Sequence, residues 1–379
     1  MTDQAGAQNP RLRVLVSPDK FKGTLSGPAA AEAMAEGVRS VLPDADLRLI
    51  PLADGGEGTV DAVVATGAHD VAVTVPGPLG DPVGARFAMT GSTAVIESAQ
   101  ACGLQLTTPS PDSALRASSA GVARLIRAAW EAGATRIVVG LGGVASTDGG
   151  TGLATELGAR FLDQAGVPVG PGALHRVVAV DLAGLDERVG ETEFVAATDV
   201  TNPLLGPTGA AAVYGPQKGA GTEQVELLDA GLRAVADVVE SEVGSLLRDL
   251  PGAGAAGGLG WGLMAFLGAA VRSGGDLVMD LVGLPPALGE ADLVLTGEGK
   301  LDAQSAFGKG PVALAELASR HGVQTVAVAG TVDAAGREGT AFAAVWSLVE
   351  ELGQQAALGD TAASLTEVTA RAVRALLAP

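Results

Sequence analysis

Asp54 and Glu57 bracket Gly55 and Gly56 in the stretch PLADGGEGTVDA, residues 51–62, directly after the apolar run Leu47–Ile50. Two acids in a glycine turn at a strand end read either as solvated charges on a tight turn or as a binding loop. The lysines favour binding. All five lie in loops that carry glycine or proline: Lys20 and Lys22 in SPDKFKGT, Lys218 in YGPQKGAG, Lys300 in GEGKLD and Lys309 in FGKGP. The arginines, by contrast, scatter along helices and strand flanks. A compact ammonium on a flexible stem suits phosphoryl oxygens as a point charge. Further acids stand near these lysines or in loops of the same kind: Asp19 beside Lys20, Glu298 and Asp302 around Lys300, Asp148 in GLGGVASTDGGTG, and Asp199 with Asn202 in ATDVTNP. Carboxylates for Mg²⁺ and for a base, cations for phosphates, and bare backbone N–H groups are the parts that phosphoryl transfer requires.

These residues fall where regular elements end. Leu12–Ser17 reads as a buried strand, and Gly27–Leu42 as a helix opening after Ser26 with Pro28 in its first turn. Leu47–Ile50 is a second strand and Thr59–Ala65 a second helix, a β-α-β-α start. Val71–Val75, Ala85–Met89 and Ala94–Glu97 then follow as short runs between turn residues, the pattern of antiparallel or mixed sheet. The spacing predicts helices over Ala114–Glu131, Leu153–Gly158 and Thr222–Leu250, with strands at Ile137–Val139 and Phe194–Ala197. The first rhythm returns with strand Asp292–Thr296, helix Val312–Arg320, strands Val323–Val328 and Ala343–Val349, and helix Ala362–Leu377. The expected architecture is α/β: a parallel-sheet domain built from residues 1–72 and 286–379, interrupted by an inserted mixed α+β domain over 73–285. Ligands of open parallel sheets sit outside the carboxyl ends of the strands. The loops SPDKFKG, ADGGEG, TGEGKLD and AGTVD should therefore share one edge and gather Asp19, Lys20, Asp54, Glu57, Glu298, Lys300 and Asp302. The active-site cleft is expected between the two domains, with Asp148, Asp199, Asn202 and Lys218 coming from the insertion.

Composition excludes other classes. The 379 residues carry a formal charge of -19 and no basic stretch, which argues against nucleic acid and against an anionic membrane surface. Cys102 stands alone, so no internal disulfide can form, and a cytoplasmic location fits. The N-terminus is polar without a signal-like apolar core, and no apolar run reaches the roughly 18 residues a bilayer span needs. The familiar nucleotide signatures are absent: Gly308-Lys309 is followed by Gly310 rather than Ser or Thr, and neither His-Arg-Asp nor Asp-Phe-Gly occurs. Gly140-x-Gly142-x-x-Ala145 could pass for a dinucleotide fingerprint, but Ser146, Thr147 and three further glycines interrupt the helix it needs. His69, His175 and His321 lie outside the glycine loops, against Ser/His/Asp hydrolysis. A dehydrogenase or lyase of a small hydroxy acid, and a non-catalytic sugar-acid binder, stay open as alternatives.

Six segments in order, SPDKFKGTLS, PLADGGEGTVDAV, GLGGVASTDGGTG, ATDVTNPLLGPTGAAAVYGPQKGA, PGAGAAGGLG and DLVLTGEGKLDAQSAFGKG, closely resemble the bacterial glycerate kinase family, and the resemblance runs from about Leu12 to Leu377. Ser118-Ser119-Ala120 and Val144 with Ser146-Thr147 depart from the more usual residues of that family. The resemblance implies a flavodoxin-like domain with an α+β insertion and ATP- and Mg²⁺-dependent phosphorylation of D-glycerate. The product is usually 2-phosphoglycerate, though the sequence leaves 3-phosphoglycerate open, as it does monomer or homodimer. Asp199 is then the expected general base, with Lys20 and Asp54 completing the catalytic set. Asp19, Lys22, Glu57, Asp148 and Asn202 are the expected substrate contacts. Gly297, Glu298, Gly299, Lys300, Gln217 and Lys218 are expected to hold the nucleotide, and Glu298 and Asp302 the Mg²⁺.

Overall fold

Short apolar runs fix two principal sheets, of five and six strands. The computed structural model describes residues 11–302, 305, 310–338 and 340–378. In chain order the strands of the two sheets are β1 (Arg13–Val16), β2 (Asp46–Leu49), β3 (His69–Pro76), β4 (Pro82–Thr90), β5 (Thr93–Glu97), β6 (Arg136–Gly140), β7 (Glu193–Ala197), β8 (Ala270–Arg272), β9 (Leu293–Thr296), β10 (Gln324–Ala329) and β11 (Ala344–Ser347). The chain divides into two compact units, Met1–Ala53 with Val278–Pro379, and Asp54–Leu277. Lys309 and the Gly308-Lys309 pair lie outside the described residues.

The unit built from both chain ends holds the sheet β2-β1-β9-β10-β11, all parallel. Numbered within the unit, its strands run 2-1-3-4-5, the flavodoxin-like order. β1, β9 and β10 are nearly continuous apolar runs because helices cover both faces, whereas β2, at an edge, alternates between exposed and half-buried residues. Helix Gly27–Arg39 starts where the Ser26 hydroxyl accepts from Ala29 N–H, and it packs on the closing helix Thr361–Leu377. Gly37 permits that approach: a Cβ there would lie 2.5 Å from Thr366 O.

The middle unit holds the sheet β8-β7-β6-β5-β4-β3, parallel from β8 to β5 and antiparallel from β5 to β3. Its core gathers around Trp261, which meets Phe266 edge-on at 5.5 Å. The indole N–H donates 3.1 Å to Glu240, a buried carboxylate that also accepts from Leu247 N–H, Arg248 N–H and the Arg248 guanidinium.

Sequence and structure differ at several places, beginning with strand β8, which the sequence reading did not expect. The helix expected over Ala114–Glu131 is two, Pro111–Arg116 and Ala120–Glu131. The Ser119 N–H between them donates 2.8 Å to the Asp148 carboxylate rather than to a helical carbonyl. The helix expected over Thr222–Leu250 ends at Val243, because Gly244 adopts φ 71° and Glu240 takes the N–H groups of Leu247 and Arg248. The strand expected over Ala343–Val349 stops at Ser347, whose hydroxyl accepts from Glu350 N–H and opens the helix Leu348–Leu352. Finally, residues 54–72, expected with the terminal domain, belong to the middle unit. β3 pairs along its whole length with β4, and the first turn of helix Thr59–Ala65 is held by the buried Glu97 at the end of β5, which accepts from Val60 N–H at 2.7 Å. Among the described residues no helix is long and apolar enough to cross a membrane.

Candidate active site

In the middle unit the parallel strands β6, β7 and β8 end side by side, with Gly140 registered to Ala197 and Ala197 to Arg272. The ADGGEG loop is pressed onto these ends by backbone contact. A Cβ on Gly140 would stand 2.0 Å from Gly55 O, one on Gly142 2.9 Å from Gly56 Cα, and one on Gly274 2.1 Å from Asp54 O. The glycines on both sides of this junction are there because main chain meets main chain. Asp54 Oδ1 accepts from Gly56 N–H at 3.0 Å, an Asx turn that holds the loop shape, and both Asp54 and Glu57 are exposed.

Asp199 lies two residues past β7. Its Oδ1 accepts from the Ser273 hydroxyl at 2.9 Å and from Gly274 N–H at 3.0 Å. Gly274 thus touches both Asp54 and Asp199, and the structure brings these two expected acids to one place on the rim of the sheet.

Three other expected contacts of this unit are spent internally. Asp148 is 1% exposed. Burial pushes its carboxyl up from the ordinary range, while four donors oppose the shift: the Ser119 N–H and hydroxyl, Gly150 N–H and Gly152 N–H. Lys218 is 3% exposed and donates 2.6 Å to Ser146 O and 3.2 Å to Thr147 Oγ1; burial lowers its ammonium to about 8. Asp148 thus ties the GLGGVASTDGGTG segment to Ser119, and Lys218 braces the same segment from the YGPQKGAG loop. Asn202 donates to Thr208 O and accepts from the Tyr214 hydroxyl, so its amide locks its own loop. Gln217 is exposed beside the buried Lys218. Burial pushes the Cys102 thiol up to about 12, which leaves it inert.

In the terminal unit the ends of β2, β1 and β9 are stitched by hydroxyls. Ser17 Oγ donates to Ile50 O and Thr296 Oγ1 to Ser17 O, both at 2.6 Å. The loops that follow are joined by Asp19 N–H donating 2.8 Å to Gly297 O. Gly297 is packed so closely on β10 that a Cβ would lie 1.9 Å from Val328 O, and a Cβ on Gly299 would lie 3.2 Å from Lys22 N. This brings Asp19, Lys20, Glu298, Lys300 and Asp302 together. Lys300 pairs with Asp302 at 2.9 Å, and Lys22 is exposed nearby. Burial pushes the Glu298 carboxyl up to about 7; the charges of Asp19 and Asp302 add to the shift, while a Ser305 hydrogen bond and Lys20 oppose it. Glu298 Oε1 is buried with no hydrogen-bond partner among the described residues.

The described residues contain no group of three or more acidic, His or Cys side chains arranged for a metal. Two carboxylates nevertheless fit Mg²⁺, which takes one or two from a protein when phosphate oxygens and water complete its shell. The unpartnered Glu298 oxygen, on the same loop as Asp302, is a hard donor of the right kind.

The glycerate kinase family model matches residues 14–378. The chain belongs to the glycerate kinase family. It is 45% identical over 326 residues to a glycerate kinase of Bacillus subtilis (strain 168), covering 85% of each chain. It is 40% identical over 326 residues to glycerate 2-kinase of Escherichia coli (strain K12), covering 85% of this chain and 86% of that one. A crystal structure assigned as glycerate kinase 2 of Salmonella typhimurium LT2 matches with a TM-score of 0.86 at 38% identity, over 97% of this chain and 98% of that one. As a member of the glycerate kinase family the chain is a kinase, and the fold that carries its site is α/β.

Sequence reasoning did not single out Ser273, Gly274 or Glu97, and it marked Ser119 only as a departure from the usual family residues; all four hold the candidate site in shape. The one local signal was Ser273-Gly274-Gly275 after the short run AVR, a small-residue stop at the end of a strand.

Proposed function

We propose that the protein transfers the γ-phosphoryl group of ATP to the 2-hydroxyl of D-glycerate, giving 2-phosphoglycerate and ADP. The observation that carries this reading is the setting of Asp199. One carboxylate oxygen is fixed by Ser273 and Gly274, and the other, Oδ2, accepts no hydrogen bond from the described residues. That oxygen takes the proton of the glycerate hydroxyl as its oxygen attacks the γ-phosphorus, while the bond to the ADP oxygen breaks. Asp54 and Glu57, beside it on the ADGGEG loop, orient the hydroxy acid through its hydroxyls. In the terminal unit Lys20, Lys22 and Lys300 bring positive charge to carboxylate and phosphoryl oxygens, and Asp19 accepts from Lys20 N–H and fixes that loop. The N–H groups of Gly297 and Gly299 belong to the same nucleotide loop. Glu298 and Asp302 are the residues that would hold Mg²⁺, which when bound neutralises charge on the nucleotide phosphates. Asp148 and Lys218 support the fold instead of touching ligand.

The test is an assay of ATP consumption with D-glycerate and Mg²⁺, with phosphorus NMR of the product to separate the 2- from the 3-phosphate. Asp199→Asn is expected to lower kcat by about a hundredfold or more with the fold intact, the range of a general base. Turnover of this variant close to wild type removes Asp199 from the role. Turnover of nicotinamide cofactor without ATP would favour the dehydrogenase reading.

A further inference from the structure

We propose that Ser273 is a positioning residue for the transfer: its hydroxyl fixes the plane of the Asp199 carboxylate so that Oδ2 faces the substrate hydroxyl. The inference rests on the reading of Asp199 as the base.

A serine hydroxyl has one proton, and here it has one acceptor. Ser273 Oγ donates 2.9 Å to Asp199 Oδ1, while its lone pair accepts Asp276 N–H at 3.4 Å. Ser273 thus sits as the cap of the helix Gly274–Leu281, and the cap bond turns its proton toward Asp199. Gly274 N–H puts a second donor on the same oxygen. Two donors converging on Oδ1 define the rotation of the carboxylate and leave acceptor capacity on Oδ2.

The anchor is itself anchored. Ser273 follows Arg272, the last residue of β8, whose carbonyl accepts Thr198 N–H at 3.0 Å, and Thr198 precedes Asp199. The parallel register of β7 with β8 therefore sets the distance between the two residues. Gly274 is pinned by Asp54 O, 2.1 Å from where its Cβ would stand, so the main chain at 273–274 cannot drift without moving the ADGGEG loop. Without the hydroxyl, a single N–H holds Oδ1 and the carboxylate turns more freely about Cβ–Cγ. Misplacement of a catalytic group by a fraction of an ångström weakens the reactive geometry but not substrate binding.

Four variants decide it: Ser273→Ala, Ser273→Thr, Asp199→Asn, and the double variant with Ala at 273 and Asn at 199, each assayed with varied D-glycerate at saturating ATP and Mg²⁺. Ser273→Ala is expected to lower kcat about ten- to a hundredfold, the scale of a hydrogen bond to a charged group, with KM for D-glycerate within about twofold. Ser273→Thr, which keeps a hydroxyl, should recover most of that kcat. The double variant should show the same residual kcat as Asp199→Asn, because the hydroxyl acts only through that carboxylate. If Asp199→Asn is slow while Ser273→Ala turns over like wild type, Ser273 has no positioning role. The same holds if its only effect is a lower melting temperature. If Asp199→Asn itself turns over like wild type, the base assignment fails and this proposal fails with it.

Discussion

Lys218 shows what a residue type in a loop does and does not say. Its place between glycines was legible and suggested a nucleotide contact, yet a lysine facing in and one facing out have the same neighbours in sequence. The structure turns it inward, onto Ser146 O and Thr147 Oγ1, near the buried Asp148. This makes a pH-dependent contribution to stability. The ammonium falls from 10.5 to about 8 on folding, mainly because burial penalises its charge. Between those values the unfolded chain holds a proton that the folded chain has released, so stability rises with pH across the window and this contribution is lost as pH falls through the folded value. Urea unfolding of wild type and Lys218→Met at about pH 7.5 and about pH 10 checks it: the difference in favour of wild type should widen at the higher pH. A gap of equal size at both would mean that Lys218 releases its proton alike in both states. The carboxylates Asp54, Asp199 and Glu298 were legible as candidates because each follows a strand. Ser273 was not, because a serine gains its role only from the acid across the sheet.

Most strands of the two sheets were read, β8 being missed, and some helix ends were not. An apolar run announces itself locally, but a helix stops where a side chain captures the backbone that would continue it, as the distant Asp148 does at Ser119 and Glu240, from within its own helix, does beyond Gly244. The meeting of the ADGGEG loop with Gly140 has no local pattern either, since the two segments are more than eighty residues apart. That contact is open to a direct test. Gly140→Ala places a methyl 2.0 Å from Gly55 O, where only main chain can give way. It should destabilise the protein by about 1–3 kcal/mol, as overpacking does. It should also lower kcat, because the displaced loop carries Asp54 and contacts Gly274. Gly84→Ala, with nothing within 4 Å of the added Cβ, is the control and should stay within about 0.5 kcal/mol of wild type. Thermal melts and steady-state kinetics on the pair measure both effects. Equal behaviour of the two variants would show that the junction is loose and that the glycine there is not required.

At the scale of the molecule, the α/β fold was visible in the return of the strand-helix rhythm near the C-terminus, whereas the order β2-β1-β9-β10-β11 is set by the structure and matches the flavodoxin-like domain that the family resemblance implied. The edges of the units were harder to see, because helix Thr59–Ala65 is held by Glu97, thirty-seven residues on from Val60, a contact with no local pattern. Charge is the other global property, and it bears on how a nucleotide can bind. A chain with net charge -19 repels free ATP at a distance, and the cations gathered with Glu298 and Asp302 are few and partly spent, Lys300 on Asp302 at 2.9 Å. On the proposed reading, Mg²⁺ would cut the charge of the nucleotide and would be held by Glu298 and Asp302. ATP should therefore raise the melting temperature only with Mg²⁺, and chelation of the metal should abolish the shift. At about a hundred times the dissociation constant, such binding adds about 2.7 kcal/mol to stability, well within reach of a thermal melt. Glu298→Gln with Asp302→Asn should erase the dependence on Mg²⁺ along with most of the stabilisation. If ATP with chelator protects the wild type as well as ATP with Mg²⁺ does, the two carboxylates do not serve the metal, and the nucleotide relies on the lysines alone.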